Sequence, residues 1–246
     1  MTAGKNHLLR HTRIYINAYD LSGDARSIDS LGYGYGKVTL SGVSEPIRLY
    51  IKDGVMEPGI FGLQSILNDA ASGAFTVLKA LGTGIEASVY LGGGAAPAAG
   101  DLAYLLPGAM ITSPNSWESA GAAHKVDIVA DPAVTAVGQP IGRVLLPKTA
   151  LTGTTTGSTV NYKTAANGWG AMLHVFVSSG GTWAFKLQDS ANGTDWADVS
   201  SGAFTANGSA LASEYLSGTG ELRQYVRAVA TRTSGTCTAA IAVCRL

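Results

Sequence analysis

Apolar residues in this chain recur at every second position over short runs, and each run is closed by turn-forming residues. In "TRIYINA", Ile14 and Ile16 alternate with Tyr15 and Asn17. In "PIRLYIKDG", Ile47, Leu49 and Ile51 alternate with Arg48, Tyr50 and Lys52. In "QYVRAVA", Tyr225, Arg227 and Val229 share one side and Val226, Ala228 and Ala230 the other. A period of two sends successive side chains to opposite faces of a strand. With 32 glycines among 246 residues available for turns, this pattern selects a mainly β fold.

Further strands are expected in "GYGYGKVTLSG", "AFTVLKAL", "IEASVYL", "HKVDIVAD" and "IGRVLLPK", with a turn at Asp53-Gly54 and a loop at "GGGAAPAAGD". One short helix is expected in "EPGIFGLQSILNDAAS". There Pro58 suits a first turn, Phe61, Leu63, Ile66 and Leu67 form an apolar side, and Gly73 is a stop. The stretch "TALTGTTTGSTVNYKTAANG" lacks bulky side chains and reads as a linker or exposed domain edge. The expected organisation is therefore two modules. Residues 1–149 form a β-rich module with one short helix, and residues 150–246 form an antiparallel β-sandwich or jelly roll. The second module's own core would include Val175, Phe185, Leu187, Val226, Val229 and Ile241.

Charge and hydropathy exclude several classes. The 17 Lys and Arg balance the 17 Asp and Glu, and only 14% of residues are charged. Such a chain has no field to steer it toward nucleic acid or an anionic membrane, and its low net charge fits an ordinary neutral protein as well as a subunit that associates. "AAPAAGDLAYLLPGAMI" is interrupted by Pro97, Asp101 and Pro107, so no membrane-spanning helix is expected. "MTAGKNHLLRHTR" has basic residues without an apolar stretch behind them, which reads as a cytoplasmic start.

The chemical motifs are sparse. Cys237 and Cys244 in "CTAAIAVC" have an odd separation, so on one strand they point to opposite faces and stay unbridged. His7, His11, His124 and His174 show no ligand spacing. "DSANGTD" fits a hairpin turn better than a calcium loop, since no glutamate closes it. "GGGAAPAAGD" lacks the Lys-Ser/Thr of a phosphate loop, and no G-x-S-x-G nucleophile motif occurs. Glu118 and His124 would pair as acid and base only through a fold that spacing does not dictate. Trp183 alternates with Phe185 and Leu187 and is expected in the core, while Trp196 sits beside a turn. No catalytic, cofactor or metal residue is assigned, and the expectation is a protein that is not an enzyme and needs no cofactor.

One polar cluster stands out. "RIYINAYDLSGDARSID" follows its first strand with Tyr19, Asp20, Leu21, Ser22, Gly23, Asp24, Arg26 and Asp29. This stretch, together with "FGLQSILNDAASGAFTVLKAL" and "GDLAYLLPGAMI", resembles tailed-bacteriophage virion proteins in which a "YDLSG" segment opens a tail tube domain. "FKLQDSANGTDWADVS" and "RQYVRAVAT" are similar to the jelly-roll or sandwich module behind it. The resemblance implies a major tail tube subunit, with residues 1–149 as a small tail-tube-like β-barrel or sandwich flanked by one helix, that self-assembles into hexameric rings stacked around a genome-conducting channel. It would meet other phage tail proteins and let DNA pass without sequence-specific binding. Its place would be the phage tail, after assembly in the host cytoplasm. On this reading the eight residues named above contact a neighbouring subunit, since a ring must satisfy short polar side chains across interfaces. The alternative is a capsid decoration or receptor-binding virion protein whose C-terminal module recognises capsid or cell-surface glycan.

Overall fold

The computed structural model describes residues 11–32, 35–39, 50–56, 60–65, 77, 84–111, 124–129 and 141–245. The first strands are β1 (Thr12–Ile16), β2 (Tyr19–Asp20), β3 (Ala25–Gly32), β4 (Tyr35–Thr39), β5 (Tyr50–Met56) and β6 (Ile60–Ser65). They are followed by β7 (Ile85–Leu91), β8 (Leu102–Ile111), β9 (His124–Val129), β10 (Ile141–Leu151), β11 (Thr155–Thr156) and β12 (Val160–Asn161). The last are β13 (Ala166–Ser178), β14 (Trp183–Ser190), β15 (Ala197–Ala203), β16 (Ala212–Leu222), β17 (Tyr225–Arg232) and β18 (Cys237–Arg245).

All pairings among these strands are antiparallel. The largest sheet has eleven strands. It runs β16-β13-β18-β10-β8-β7-β1-β2 and branches from β8 through β9 and β6 to β3. A second sheet has five strands, β11-β17-β14-β15 with β12 also on β17, and β4 and β5 form a two-stranded ribbon. The molecule is thus mainly β, with two antiparallel sheets packed as a sandwich.

Side-chain parity decides which core each residue enters. On β13, Trp169, Ala171, Leu173 and Val175 join Trp183, Phe185, Leu187, Val226, Ala228 and Ala230 between the two sheets. The interleaved Met172 and Phe176 instead join Tyr15, Tyr90, Leu105 and Val144 in a separate buried cluster. β18 divides in the same way, with Ala239, Ile241 and Val243 on the sandwich side and Ala240, Ala242 and Cys244 on the other. Residues of β13 and β7 meet in that second cluster although several strands lie between them, so the large sheet rolls and encloses one of its own faces. The outer face of β1, β7 and β8 buries Ile14, Ile16, Ile85, Val89 and Leu106 with Val77.

Three expectations are corrected. The helix over "EPGIFGLQSILNDAAS" gives way at Ile60–Ser65 to β6, which pairs with β3 and β9. Val77, expected in a strand, is helical, and its neighbours in "AFTVLKAL" lie outside the described residues. Asp53-Gly54 is not a turn but the middle of β5.

The expected linker is also built into the fold. Thr155 and Val160 stand opposite Ala230 and Val226 of β17. The boundary between 149 and 150 falls inside β10, whose backbone pairs β8 along one edge and β18 along the other. Dividing the chain into 1–149 and 150–246 therefore follows no break in the sheet. The core expected for the second module is present: Val175, Phe185, Leu187, Val226 and Ile241 share the sandwich cluster, and Val229 is buried.

Candidate functional site

The polar cluster after β1 is a knot of bonds within one chain. Asn17 and Ala18 connect Ile16 to its partner Tyr19, with φ of 44° and 69°, as a two-residue turn of the type favoured in twisted hairpins requires. Asn17 locks the turn onto β7: its N–H donates to the Glu86 carbonyl at 2.9 Å, and its Oδ1 accepts from the Glu86 N–H at 2.8 Å. Ser22 Oγ accepts from the Ile14 N–H at 2.9 Å and donates to Asp20 Oδ1, which also accepts the Ser22 N–H at 3.1 Å.

The other oxygen of Asp20 receives Lys148 Nζ at 2.6 Å. Lys148 lies in an irregular part of β10, where the register with β18 shifts between Leu146 and Thr149; a bulge of this kind re-aims a side chain. Its ammonium also sits 4.8 Å from the centre of the Phe176 ring. Desolvation alone would raise the Asp20 carboxyl, but hydrogen bonds from Lys148 and Ser22 outweigh it and hold the group below its usual range. Asp20, Ser22 and Lys148 thus tie the β2 end of the rolled sheet to β10 and β13.

The remaining members of the cluster are dispersed. Leu21 is fully buried and Tyr19 packs against the same core. The Asp24 N–H donates to the Leu21 carbonyl at 3.1 Å, and Gly23 is exposed. Arg26 and Asp29 lie on β3, and their side chains lie outside the description. The pair Asp20–Lys148 is half-exposed, so its contribution is small. A double-mutant cycle of Asp20→Asn and Lys148→Met, read by urea unfolding of the monomer, will give a coupling of about 1 kcal/mol or less. Coupling that appears only in an assembled form would place the contact between subunits.

The roll contains a second polar group that the sequence pattern did not single out. His174 is fully buried. Its Nε2 lies 2.8 Å from Ser88 Oγ on β7 and its Nδ1 lies 2.7 Å from Ser213 Oγ on β16. Both ring nitrogens are satisfied, and the rings of Tyr15 and Phe176 pack beside the imidazole. Burial lowers its pKa to about 3. A neutral imidazole spanning three strands acts as a strut. Near it on β7, burial raises the Glu86 carboxyl to about 7, against a hydrogen bond from the Gly108 backbone. Among the described residues the buried Glu86 Oε2 has no hydrogen-bond partner, and the buried Tyr215 hydroxyl has only the Cys244 thiol beside it. A Cβ at Gly170 would fall 2.1 Å from that hydroxyl and 3.0 Å from Cys244 Sγ, so only glycine fits beside them.

Other motifs resolve as packing or turns. "DSANGTD" joins β14 to β15: Asn192 Oδ1 accepts the Thr194 and Asp195 N–H groups at 2.9 Å, and Gly193 takes φ 79°. Asp189 is buried and accepts the Arg223 N–H at 2.9 Å. Cys237 and Cys244 are free, buried, and on opposite faces of β18 as their spacing requires. Trp183 is core. The face of Trp196 is covered by the Arg227 guanidinium, 4.0 Å from the ring centre. His124 begins β9, whereas Glu118 lies outside the described residues.

Among the described residues, two of the surface clefts are well formed. One, of about 570 Å³, lies where the edge strands β15 and β16 approach, lined by Trp169, Ser200, Ser201 and the run Ser217–Glu221. Trp169 is only 1% exposed, and a Cβ on Gly218 would meet its indole at 2.7 Å, so the ring is a floor beneath backbone. The other, of about 450 Å³, is lined by Leu102, Ile141, Gly142, Arg143, Tyr162, Ala166 and Arg245.

No family model and no curated protein matches the chain. Among solved structures, a chain in "Structure of infectious bursal disease virus Gx strain" aligns with 95% of this chain and 69% of its own length. That alignment has 11% identity and a TM-score of 0.23, a likeness too slight to carry an argument about function.

Proposed function

We propose that the chain is a self-assembling virion structural protein, and specifically the major tail tube subunit of a tailed bacteriophage, forming stacked hexameric rings around a genome-conducting channel. The observation that carries this reading is the position of β16 at the end of its sheet. Among the described residues this strand ends the eleven-stranded sheet with β13 as its strand partner, and its segment Ser217–Thr219–Gly220–Glu221 is exposed. Neither Pro nor Lys interrupts β16. An edge without those blocking residues is a template for a strand from another copy. The sequence resemblance of "YDLSGDARSID" to tail tube openings adds the architecture.

The alternative, a capsid-decorating or glycan-binding virion protein, gains nothing from the described tryptophans. Trp169 and Trp183 are buried and Trp196 is covered by Arg227. Negative-stain microscopy of the concentrated protein, with light scattering across a dilution series, tests the proposal. Rings or tubes are the expected result, and a small oligomer that binds capsids would replace the tail tube reading with the decoration reading.

A further inference from the structure

We propose that the cavity between Arg143, Tyr162 and Arg245 is a binding site for an organic carboxylate with a small apolar body. Strand register brings the two cations together. Arg143 stands opposite Val243 on β18, and Arg245 follows two positions along the same strand. Arg143 and Arg245 are therefore diagonal neighbours on one face, within reach for long side chains. Like charges in such positions repel, and no carboxylate among the described residues lines the cavity. An anion placed between them turns that repulsion into two attractions.

The site is held in shape before anything binds. The Tyr162 hydroxyl donates to the Val243 carbonyl at 2.9 Å, which fixes the ring. The Arg245 guanidinium lies over that ring, 5.1 Å from its centre. Among the described residues the buried Arg245 Nε has no hydrogen-bond partner, and its two terminal nitrogens reach Tyr162 O and Thr164 Oγ1 only at 3.4 Å. Arg143 is steadied by Nη1 donating to the Gly100 carbonyl at 3.0 Å. Planar forks of N–H donors match a carboxylate in two-point fashion. Leu102, Ile141, Ala166 and the Tyr162 ring give the cavity apolar walls, and its volume of about 450 Å³ exceeds what a bare oxyanion needs. Both features select an acid with a body over inorganic phosphate.

Titration of the full chain with benzoate, followed by NMR of the backbone amides, tests the assignment. Benzamide serves as the neutral isostere and inorganic phosphate as the bodiless anion. Benzoate will shift the Gly142, Arg143 and Arg245 amides saturably, and benzamide will not. Arg143→Gln and Arg245→Gln will each weaken benzoate binding about tenfold, the effect of losing one charged hydrogen-bonding partner. Should a Gln variant fail to give the native amide spectrum, Arg143→Lys, which keeps the charge but loses the fork, will still weaken benzoate severalfold. Equal binding of benzamide, or benzoate affinity unchanged in the arginine variants, overturns the proposal. Phosphate binding more tightly than benzoate overturns the organic class.

Discussion

A chain ended after Lys148 will not fold. The cut removes β13, β16 and β18, and with them Met172, Phe176, Ala240, Ala242 and Cys244 from the inside of the roll. Tyr15, Tyr90 and Leu105 would then face water, and β10 would lose its pairing with β18. Each large apolar side chain left exposed forfeits about 1.5–3 kcal/mol, and several together exceed the roughly 5–15 kcal/mol by which a domain is stable. The complementary fragment 141–246 behaves differently. Its sandwich core lies wholly within Leu145 to Val243, so it will unfold cooperatively, but its uncovered Met172, Phe176 and Ala242 will drive association. Circular dichroism melts and light scattering of both fragments check this. A cooperative transition in fragment 1–148 would show that the first half closes a core alone.

The second large effect is a cancellation in the pH dependence of stability. His174 keeps its neutral form in the fold down to about pH 3, against an ordinary value of 6.5. Below 6.5 the unfolded chain takes up a proton that the folded chain refuses, so stability falls as pH drops. Glu86 has the opposite sign, because its carboxyl is raised from 4.5 to about 7 in the fold. Between those values the unfolded chain is ionised while the folded one holds its proton, so stability falls as pH rises. Each group alone gives a slope of about 1.4 kcal/mol per pH unit where its two states differ by a full proton. From about pH 4.5 to 6.5 the slopes oppose each other. The depressed carboxyls Asp20 and Asp198 act lower, as pH falls below 3.8.

Urea unfolding of the parent chain will therefore change little across pH 4.5–6.5. Glu86→Gln will expose the histidine slope and lose about 1.4 kcal/mol per pH unit on acidification. A parent profile as steep as the variant's would remove Glu86 from the account. Replacing His174 by Ala will cost on the order of 3–5 kcal/mol at neutral pH, since it opens a cavity and leaves Ser88 and Ser213 without their shared partner.

Much of this was legible in the alternation of residues. The two sides of "QYVRAVA" and the divergence of Cys237 and Cys244 follow from period two and reappear in the cores. "AMLHVFV" on β13 carries a further signal, since a nearly unbroken apolar run means burial on both faces. Read that way, His174 has to be inside and bonded. Glu86, Ser88 and Tyr90 in "IEASVYL" look like a solvent-facing row, and only the roll turns them inward.

β6 was missed because Phe61, Leu63, Ile66 and Leu67 satisfy a helical spacing as well as a strand, and pairing with β3 and β9 decides between them. Thr155, Thr156 and Val160 of the apparent linker are β-branched and pair with β17 in two short strands, which the scarcity of bulky side chains concealed. Lys148 meets Asp20 through the roll of the sheet and Arg143 stands near Arg245 through strand register, and no local spacing encodes either.

The place of β18 between β10 and β13 also governs how the chain reaches this state. Leu151 waits for Cys237, and the strands joined by that closure are far apart in sequence. Sheets dominated by such distant pairings fold slowly, over milliseconds to seconds, because loop closure precedes the contacts that reward it. Until β18 docks, β10 and β13 flank a gap of one strand's width. In a crowded population of nascent copies, β18 of another molecule fits that gap as well as the chain's own, so refolding at high concentration will yield strand-exchanged dimers whose fraction falls on dilution.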